Sequence, residues 1–306
     1  MSVPHDPRSA IPPALGGTRD PGDAWVVAAD GTKYWGRFGA AGLVAVDPTR
    51  GVLLQHRATW SHHGGTWGIP GGALHQGETA LTGALREAHE EAGVPLSAIR
   101  PRLTWVADMG VWSYTTVIAD VTTPFEPAIG DAESIALEWV SVEELSLDRA
   151  TGRRPLHPAL EAGTHGLFEA MNRRPHIVID AANVVGSTLD GWWKDRQGAT
   201  QRLVDSLAHL SVRGLAAESL NFPGSTWFPP ISVVTEGKAR GVRGHAEVNI
   251  VEAPGEGDDA VVELVTALRA QGEEPLVVTS DRELQTRVHA ADGVARSVRW
   301  IQDQLS

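Results

Sequence analysis

Three glutamates, Glu87, Glu90 and Glu91, stand at i, i+3 and i+4 in GETALTGALREAHEEAGV, so a helix would project all three carboxylates from one face. The helix itself is predicted by the apolar spacing of Ala80, Leu81, Ala84, Leu85 and Ala88; Glu78 opens it and Gly93 supplies a left-handed stop. Carboxylates crowded in this way repel one another unless a cation sits between them, and an all-oxygen ligand set suits Mg²⁺ or Mn²⁺, which bring phosphates with them. Arg86, four residues before Glu90, is placed to brace the set. The plain alternative is a solvated acidic helix face. Upstream, LLQHRATWSHHGG offers Arg57 for a phosphate and Trp60 for stacking on a base, with His62 and His63 at a loop tip where adjacent side chains diverge.

A second acidic set is scattered. Asp180 ends the apolar run HIVID and is followed by Asn183; Asp258 and Asp259 open DDAVVELVTALRAQ; Asp281 opens DRELQTRV. In a doubly wound sheet the carboxyl ends of strands and the adjoining helix starts line one crevice, so these aspartates would converge on a hard divalent cation. Taken singly, each has a capping or turn role, and Ser280 with Glu283 has the spacing of a capping box. Nearby, Lys238, Arg240, Arg243 and His245 could grip phosphates, and Trp192, Trp193 and Lys194 could meet unpaired bases. The alternative is that the tryptophans pack and the basic groups are solvated.

Elements must bring these residues together. The 306 residues suffice for about two domains. Residues 1–23, rich in Pro, Gly and charge, predict a flexible leader. Residues 24–147 are strand-rich with one clear helix; strands are expected at 25–28, 41–46, 52–56, 103–107, 111–121 and 137–140. Residues 148–175 predict a helical linker. From 176 to 306, short apolar runs at 176–180, 231–235, 247–252 and 275–279 alternate with helical stretches near 198–213, 259–271 and 281–291, the pattern of a mainly parallel sheet.

Composition narrows the chemistry. Zero cysteines exclude disulfides, thiolate zinc, iron–sulfur clusters and a cysteine nucleophile. Net charge is −12, and each half (1–174 and 175–306) carries −6, so neither has the basic footprint of a general nucleic-acid binder. No apolar run has the length of a membrane span or the form of a signal peptide, and the expected location is the cytoplasm with no membrane partner.

The stretch from Gly72 to Val94 resembles the Nudix box: Gly72, Glu78, Arg86, Glu87, Glu90, Glu91, Gly93 and Val94 fall in its positions, and Trp67-Gly-Ile-Pro-Gly-Gly72 resembles its usual lead-in. Ala88 departs from the pattern, which has a bulkier aliphatic there. The resemblance implies an α/β fold of the α/β/α sandwich type around a mixed sheet, hydrolysing a nucleoside diphosphate linked to a group X. It implies that Glu87, Glu90 and Glu91, with the Gly72 carbonyl, ligate Mg²⁺ or Mn²⁺, that Glu78 and Arg86 orient them, and that Glu87 or Glu133 is the general base. Met109 stands where ADP-ribose hydrolases carry a proline, and the CoA and NADH marks are absent, so X is not named.

The second half is similar to NYN domains, relatives of PIN-type ribonucleases, in IDAANVVGS (179–187), GEGDDAVVELV (255–265) and VVTSDRELQTRV (277–288). This implies a PIN-like α/β/α domain with a mainly parallel sheet, in which Asp180, Asp259 and Asp281 hold metal for phosphodiester hydrolysis of RNA while Asn183 and Asp258 support them. Three readings stay open: a Nudix hydrolase fused to a ribonuclease, a Nudix hydrolase carrying a non-catalytic RNA-binding or interaction domain, and a Nudix-like nucleotide sensor that regulates the nuclease.

Overall fold

A computed structural model describes residues 20–61, 63–187 and 194–306. They form two compact units, one made by the chain up to Phe168 with Pro223–Ser225, the other by Glu169–Phe222 with Thr226–Ser306. Most of the segment expected as a leader lies outside the described residues. Asp20–Asp23 does not behave as one: Asp20 accepts the Gly22 amide at 2.7 Å, and the Gly22 carbonyl accepts from Ala24 and Arg37, which closes a turn onto the first unit.

In the first unit β1 (Trp25–Val27) pairs antiparallel with β2 (Lys33–Trp35). The main sheet contains β3 (Ala40–Asp47), β4 (Gly51–Arg57), β5 (Trp67–Gly68), β6 (Gly71–Ala73), β7 (Ile99–Asp108), β8 (Ser113–Val121) and β9 (Ser134–Val140). The order β7-β8-β3-β4-β5 runs across it, with β6 also on β3 and β9 also on β4. It is mixed, because β3 and β8 are parallel while the other pairs are antiparallel. The two-residue β5 and the glycine-rich β6 escaped the sequence pattern.

Helix α1 (Ala80–Ala92) lies on this sheet through Ala84, Ala88 and Ala92, packed on Leu43, Ala45, Leu53, Val117 and Ala119. Small residues let helix and sheet approach closely, which is where Ala88, the departure from the family pattern, is fully buried. Burying each leucine or valine here contributes about 1.5–3 kcal/mol. The helix begins later than expected: Thr79 is the N-cap, its hydroxyl accepting from the Thr82 amide, so Glu78 precedes the helix rather than opening it. Gly93 ends it at φ 64°. The expected linker is helical in α2 (Val142–Thr151) and α3 (Pro158–Met171). On the face away from α1, Gly166 of α3 sits against the Trp105 ring, with no room for a side chain.

The second unit runs β10 (Pro175–Asp180), α4 (Ala181–Gly186), α5 (Arg196–Arg213), β11 (Leu215–Ala216), α6 (Ala217–Leu220), β12 (Thr226–Trp227), β13 (Ile231–Thr235), β14 (Val248–Glu252), α7 (Gly257–Ala270), β15 (Glu274–Val278), α8 (Arg282–Ala290), β16 (Val294–Arg296) and α9 (Val298–Leu305). A fully parallel sheet has the order β14-β13-β10-β15-β16. Its strands are apolar because both faces are covered. Val178, Val234 and Val277 pack on α7 and α8, whereas α5 crosses β13 and β14. After β14 the chain crosses to the other side of β10, so the order reverses around that strand and leaves a crevice at its carboxyl end.

Candidate functional sites

Midway along α1 one guanidinium organises three carboxylates. Arg86 Nε and one terminal nitrogen donate to the two Glu78 oxygens, each at 3.0 Å; the other terminal nitrogen donates to Glu87 at 2.9 Å and Glu90 at 3.1 Å. Arg86 also donates to the Ala73 carbonyl at 3.1 Å, which fastens the helix to β6. The Glu78 carboxylate is thereby held below its ordinary range by Arg86, burial opposing. Glu78 also accepts the His75 amide, closing the loop ahead of the helix.

Glu87 and Glu91 turn inward, whereas the Glu90 side chain is 56% exposed and held at the rim by Arg86. Burial pushes Glu87 up to about 7, with Arg86 opposing and the Glu90 charge adding. Burial also raises Glu91 well above its ordinary value, and the charges of Glu87 and Asp131 add to this. The Glu91 carboxylate accepts the Gly71 amide at 2.8 Å. Gly72 is a cradle: a Cβ there would lie 2.7 Å from a Glu87 oxygen. Among the described residues no three carboxylate or imidazole groups stand together as a metal cage. What the site does present is a pair of buried, mutually repelling carboxylates beside a side-chain-free backbone, a hard-oxygen set that a small dication fits.

Arg57 ends β4 with its guanidinium 3.7 Å from the Glu133 carboxylate; both side chains are largely covered. Burial raises Glu133 above its usual value, with Arg57 opposing. Trp60 is 51% exposed on the following loop. His62 lies outside the described residues. His63 has a left-handed backbone, φ 54°, and its ring meets the His157 ring edge-on at 4.8 Å. The sequence pattern did not single out Gln55, Asp131 and Ser134, which form a bonded chain running to the Glu133 backbone. Ordinary hydrophilic side chains near a strand start carry no signal without the strand pairing.

In the second unit Asp180, at the carboxyl end of β10, accepts the Asn183 amide at 3.1 Å and the Thr279 hydroxyl at 3.0 Å. Burial raises Asp180, and the charges of Asp258 and Glu236 raise it further. Asp258 is raised by burial and then by the Asp281 charge. Asp180 and Asp258 therefore each feel the charge of neighbouring acids around the crevice. Glu236 was missed, although it directly follows the apolar run ISVVT and could have been found by the logic that selected Asp180. Its carboxylate accepts the Gly257 amide at 2.7 Å.

Two expectations need correction here. Asp259, read as a metal ligand, turns outward to Arg287 at 2.5 Å, and its neighbour Asp258 faces the cluster instead. Consecutive helical residues diverge by about 100°, so only one of the two can face inward. Ser280 does not cap α8: Asp281 does, accepting the Glu283 and Leu284 amides, and the Ser280 amide donates to Asn183 Oδ1 at 2.9 Å.

The basic loop is only partly assembled as expected. Gln197 and Gln201 of α5 bond the backbone of Gly241 and Arg243, and His245 pairs with Asp205 at 2.9 Å. Together they line a groove of about 690 Å³ with the Arg243 side chain. Arg240 instead turns inward to the Ala253 carbonyl. Lys238 and Lys194 are exposed, and neither lines the groove. Trp192 and Trp193 lie outside the described residues.

Residues 36–160 match the NUDIX domain family. Proteins of two Mycobacterium tuberculosis strains named "Putative 8-oxo-dGTP diphosphatase 3" are 44% identical over 172 residues, covering 53% of this chain and 76% of theirs. A Bifidobacterium longum "Nucleoside triphosphate pyrophosphatase/Nudix hydrolase fusion protein" is 42% identical over 145 residues, 45% of this chain and 30% of that one. The crystal structure of a Nudix hydrolase from M. smegmatis, RenU, is similar at 42% identity and a TM-score of 0.43, covering 49% of this chain and 95% of that one.

Proposed function

The chain belongs to the NUDIX family and is a hydrolase of phosphoric anhydrides; from that premise we propose that its first unit cleaves nucleoside triphosphates, with an oxidised purine such as 8-oxo-dGTP as the preferred base. The triphosphate class is taken from the names of the relatives. The observation that carries the catalytic reading is the pair of inward carboxylates, Glu87 and Glu91, set against Gly71 and Gly72 and braced through Arg86. Mg²⁺ or Mn²⁺ held by Glu87 and Glu91, with Glu90 at the rim and the Gly72 carbonyl, would polarise the phosphate and lower the pKa of an attacking water. Arg57 neutralises a phosphate oxygen, and Glu133, beside it, accepts the proton of that water. Glu78 fixes Arg86, so the glutamates keep one geometry before substrate arrives.

The deciding experiment measures phosphate and pyrophosphate release from 8-oxo-dGTP, canonical nucleoside triphosphates, dinucleoside polyphosphates and 5′-triphosphorylated RNA, with Mg²⁺ or Mn²⁺, for wild type beside Glu91→Gln. Turnover lost in the variant supports the assignment. Turnover that survives removes it, and nucleotide that binds without being split favours the sensor reading.

For the second unit we propose metal-dependent RNA hydrolysis of the NYN/PIN type. The supporting observation is that Asp180, Glu236 and Asp281 lie at or just beyond the carboxyl ends of parallel strands with Asp258 in the first turn of α7, where burial and the neighbouring acids raise Asp180 and Asp258. Asn183 and Arg243 would serve as RNA contacts. Cleavage of a single-stranded RNA panel that disappears in Asp180→Asn and Asp281→Asn supports this reading; binding with no cleavage by wild type favours a non-catalytic RNA-binding domain.

A further inference from the structure

Gln55 is an anomaly in β4. It follows the buried Val52, Leu53 and Leu54 and is itself fully buried. Its Nε2 donates to Ser134 Oγ at 2.8 Å, while its Oε1 has no hydrogen-bond partner among the described residues. An orphaned buried amide oxygen costs about 1–3 kcal/mol, a cost that leucine would avoid. Breaches of packing logic of this kind concentrate where function requires them.

The far end of that bond leads to Glu133. Ser134 Oγ donates to Asp131 Oδ1 at 3.2 Å, and the same oxygen accepts the Glu133 amide at 3.1 Å. From the other side the Ala58 amide donates to the Glu133 carbonyl at 2.7 Å. The Glu133 backbone is therefore clamped at both its polar groups, and its side chain is directed to Arg57 at 3.7 Å.

A β-bulge makes the clamp possible. Pairing runs regularly from Val52 opposite Val140 to His56 opposite Ala136, and then Arg57 opposes Ser134, which leaves Ile135 as the extra residue. Opposed residues share a face. Without the bulge Arg57 would face Ile135, and Ser134 would lie on the side of the sheet away from Gln55. Ile135 is instead 48% exposed.

We propose that Ser134, held between Gln55 and Asp131, is a positioning residue that fixes Glu133 beside Arg57 for turnover. The inference rests on the reading of Glu133 as the group that accepts a proton from water. Its test compares kcat and KM for wild type, Ser134→Ala, Ser134→Thr, Gln55→Met, Glu133→Gln and the double variant Ser134→Ala/Glu133→Gln, on the best triphosphate of the panel with Mg²⁺, and records a urea midpoint for each.

Ser134→Ala is expected to lower kcat about tenfold, less than the roughly 100-fold that a 1 Å misplacement can cost, with KM nearly unchanged. Gln55→Met should act in the same direction, and Ser134→Thr should restore most of the rate. In the Glu133→Gln background Ser134→Ala should add nothing further, because it acts through Glu133. An unchanged kcat in Ser134→Ala, or an equal loss in both backgrounds, overturns the proposal while leaving Glu133 in its role. Wild-type turnover by Glu133→Gln overturns both.

Discussion

The two units gather acidic groups by opposite means. In the first, Glu78, Glu87, Glu90 and Glu91 come from one short segment, and a single arginine binds three of them. In the second, Asp180, Glu236, Asp258 and Asp281 arrive from four places in the chain, and the bonds holding Asp180 come from neutral donors, the Asn183 amide and the Thr279 hydroxyl. The difference teaches that a helix can preorganise charge by itself, provided a counterion is built in. The carboxyl ends of a parallel sheet deliver charge through topology, and burial raises Asp180 and Asp258 there.

The sharpest test of this contrast is functional separation. Glu91→Gln should lower kcat/KM for triphosphate hydrolysis by about 10³-fold, the scale of losing a major electrostatic stabiliser, and leave RNA cleavage intact. Parallel assays of both activities check this; a fall in both would show that the sites are not independent. Conversely, Asp180→Asn should reduce RNA cleavage by roughly 100-fold or more with triphosphate turnover unchanged. It should also raise the urea midpoint of the second unit, since a buried carboxylate with a raised pKa is costly in its charged form at neutral pH.

Arg86→Ala probes the built-in counterion. Leaving Glu78, Glu87 and Glu90 without it should destabilise the first unit by about 3 kcal/mol, read by urea denaturation. A loss below about 1 kcal/mol would mean that solvent, rather than Arg86, supports the cluster.

The smallest effect concerns acid. Burial alone would raise Asp47, yet Arg50 and Thr49 hold it well below the carboxylate range: Arg50 grips it at 2.7 and 2.9 Å, and the Thr49 hydroxyl and amide donate to it. A depressed folded-state pKa stabilises above the unfolded value of about 3.9 and is lost as pH falls through the folded value. Asp47→Asn should therefore cost about 2 kcal/mol at pH 7 and progressively less below about pH 4, checked by urea titrations across that range.

The same contrast explains what the sequence made legible. Helical periodicity fixes side-chain direction locally, so the shared face of Glu87, Glu90 and Glu91 and the bracing of Glu90 by Arg86 followed from spacing, whereas the turn of Glu90 to the rim did not. The position of Glu78 was displaced because Thr79 outcompetes it as the N-cap. Four of the five parallel strands of the second unit were visible as apolar runs within a residue or so of their observed limits, while the three-residue β16 was not. Which of Asp258 and Asp259 faces inward was not visible, since a helix that starts at Gly257 sets that phase. Glu236, and the Gln55–Ser134–Asp131 chain, depend on strand order and on a bulge, and neither leaves a local periodic trace.

That bulge also makes the first site sensitive to length rather than to side chain at one point. Substitution at Ile135 alters an exposed side chain and leaves the clamp in place. Loss of one codon there would restore regular pairing and turn Ser134 to the opposite side of the sheet. Changing the side chain at Ile135 therefore leaves the pairing of Gln55 with Ser134 within reach, whereas shortening the segment from Asp131 to Val140 by one residue would break it.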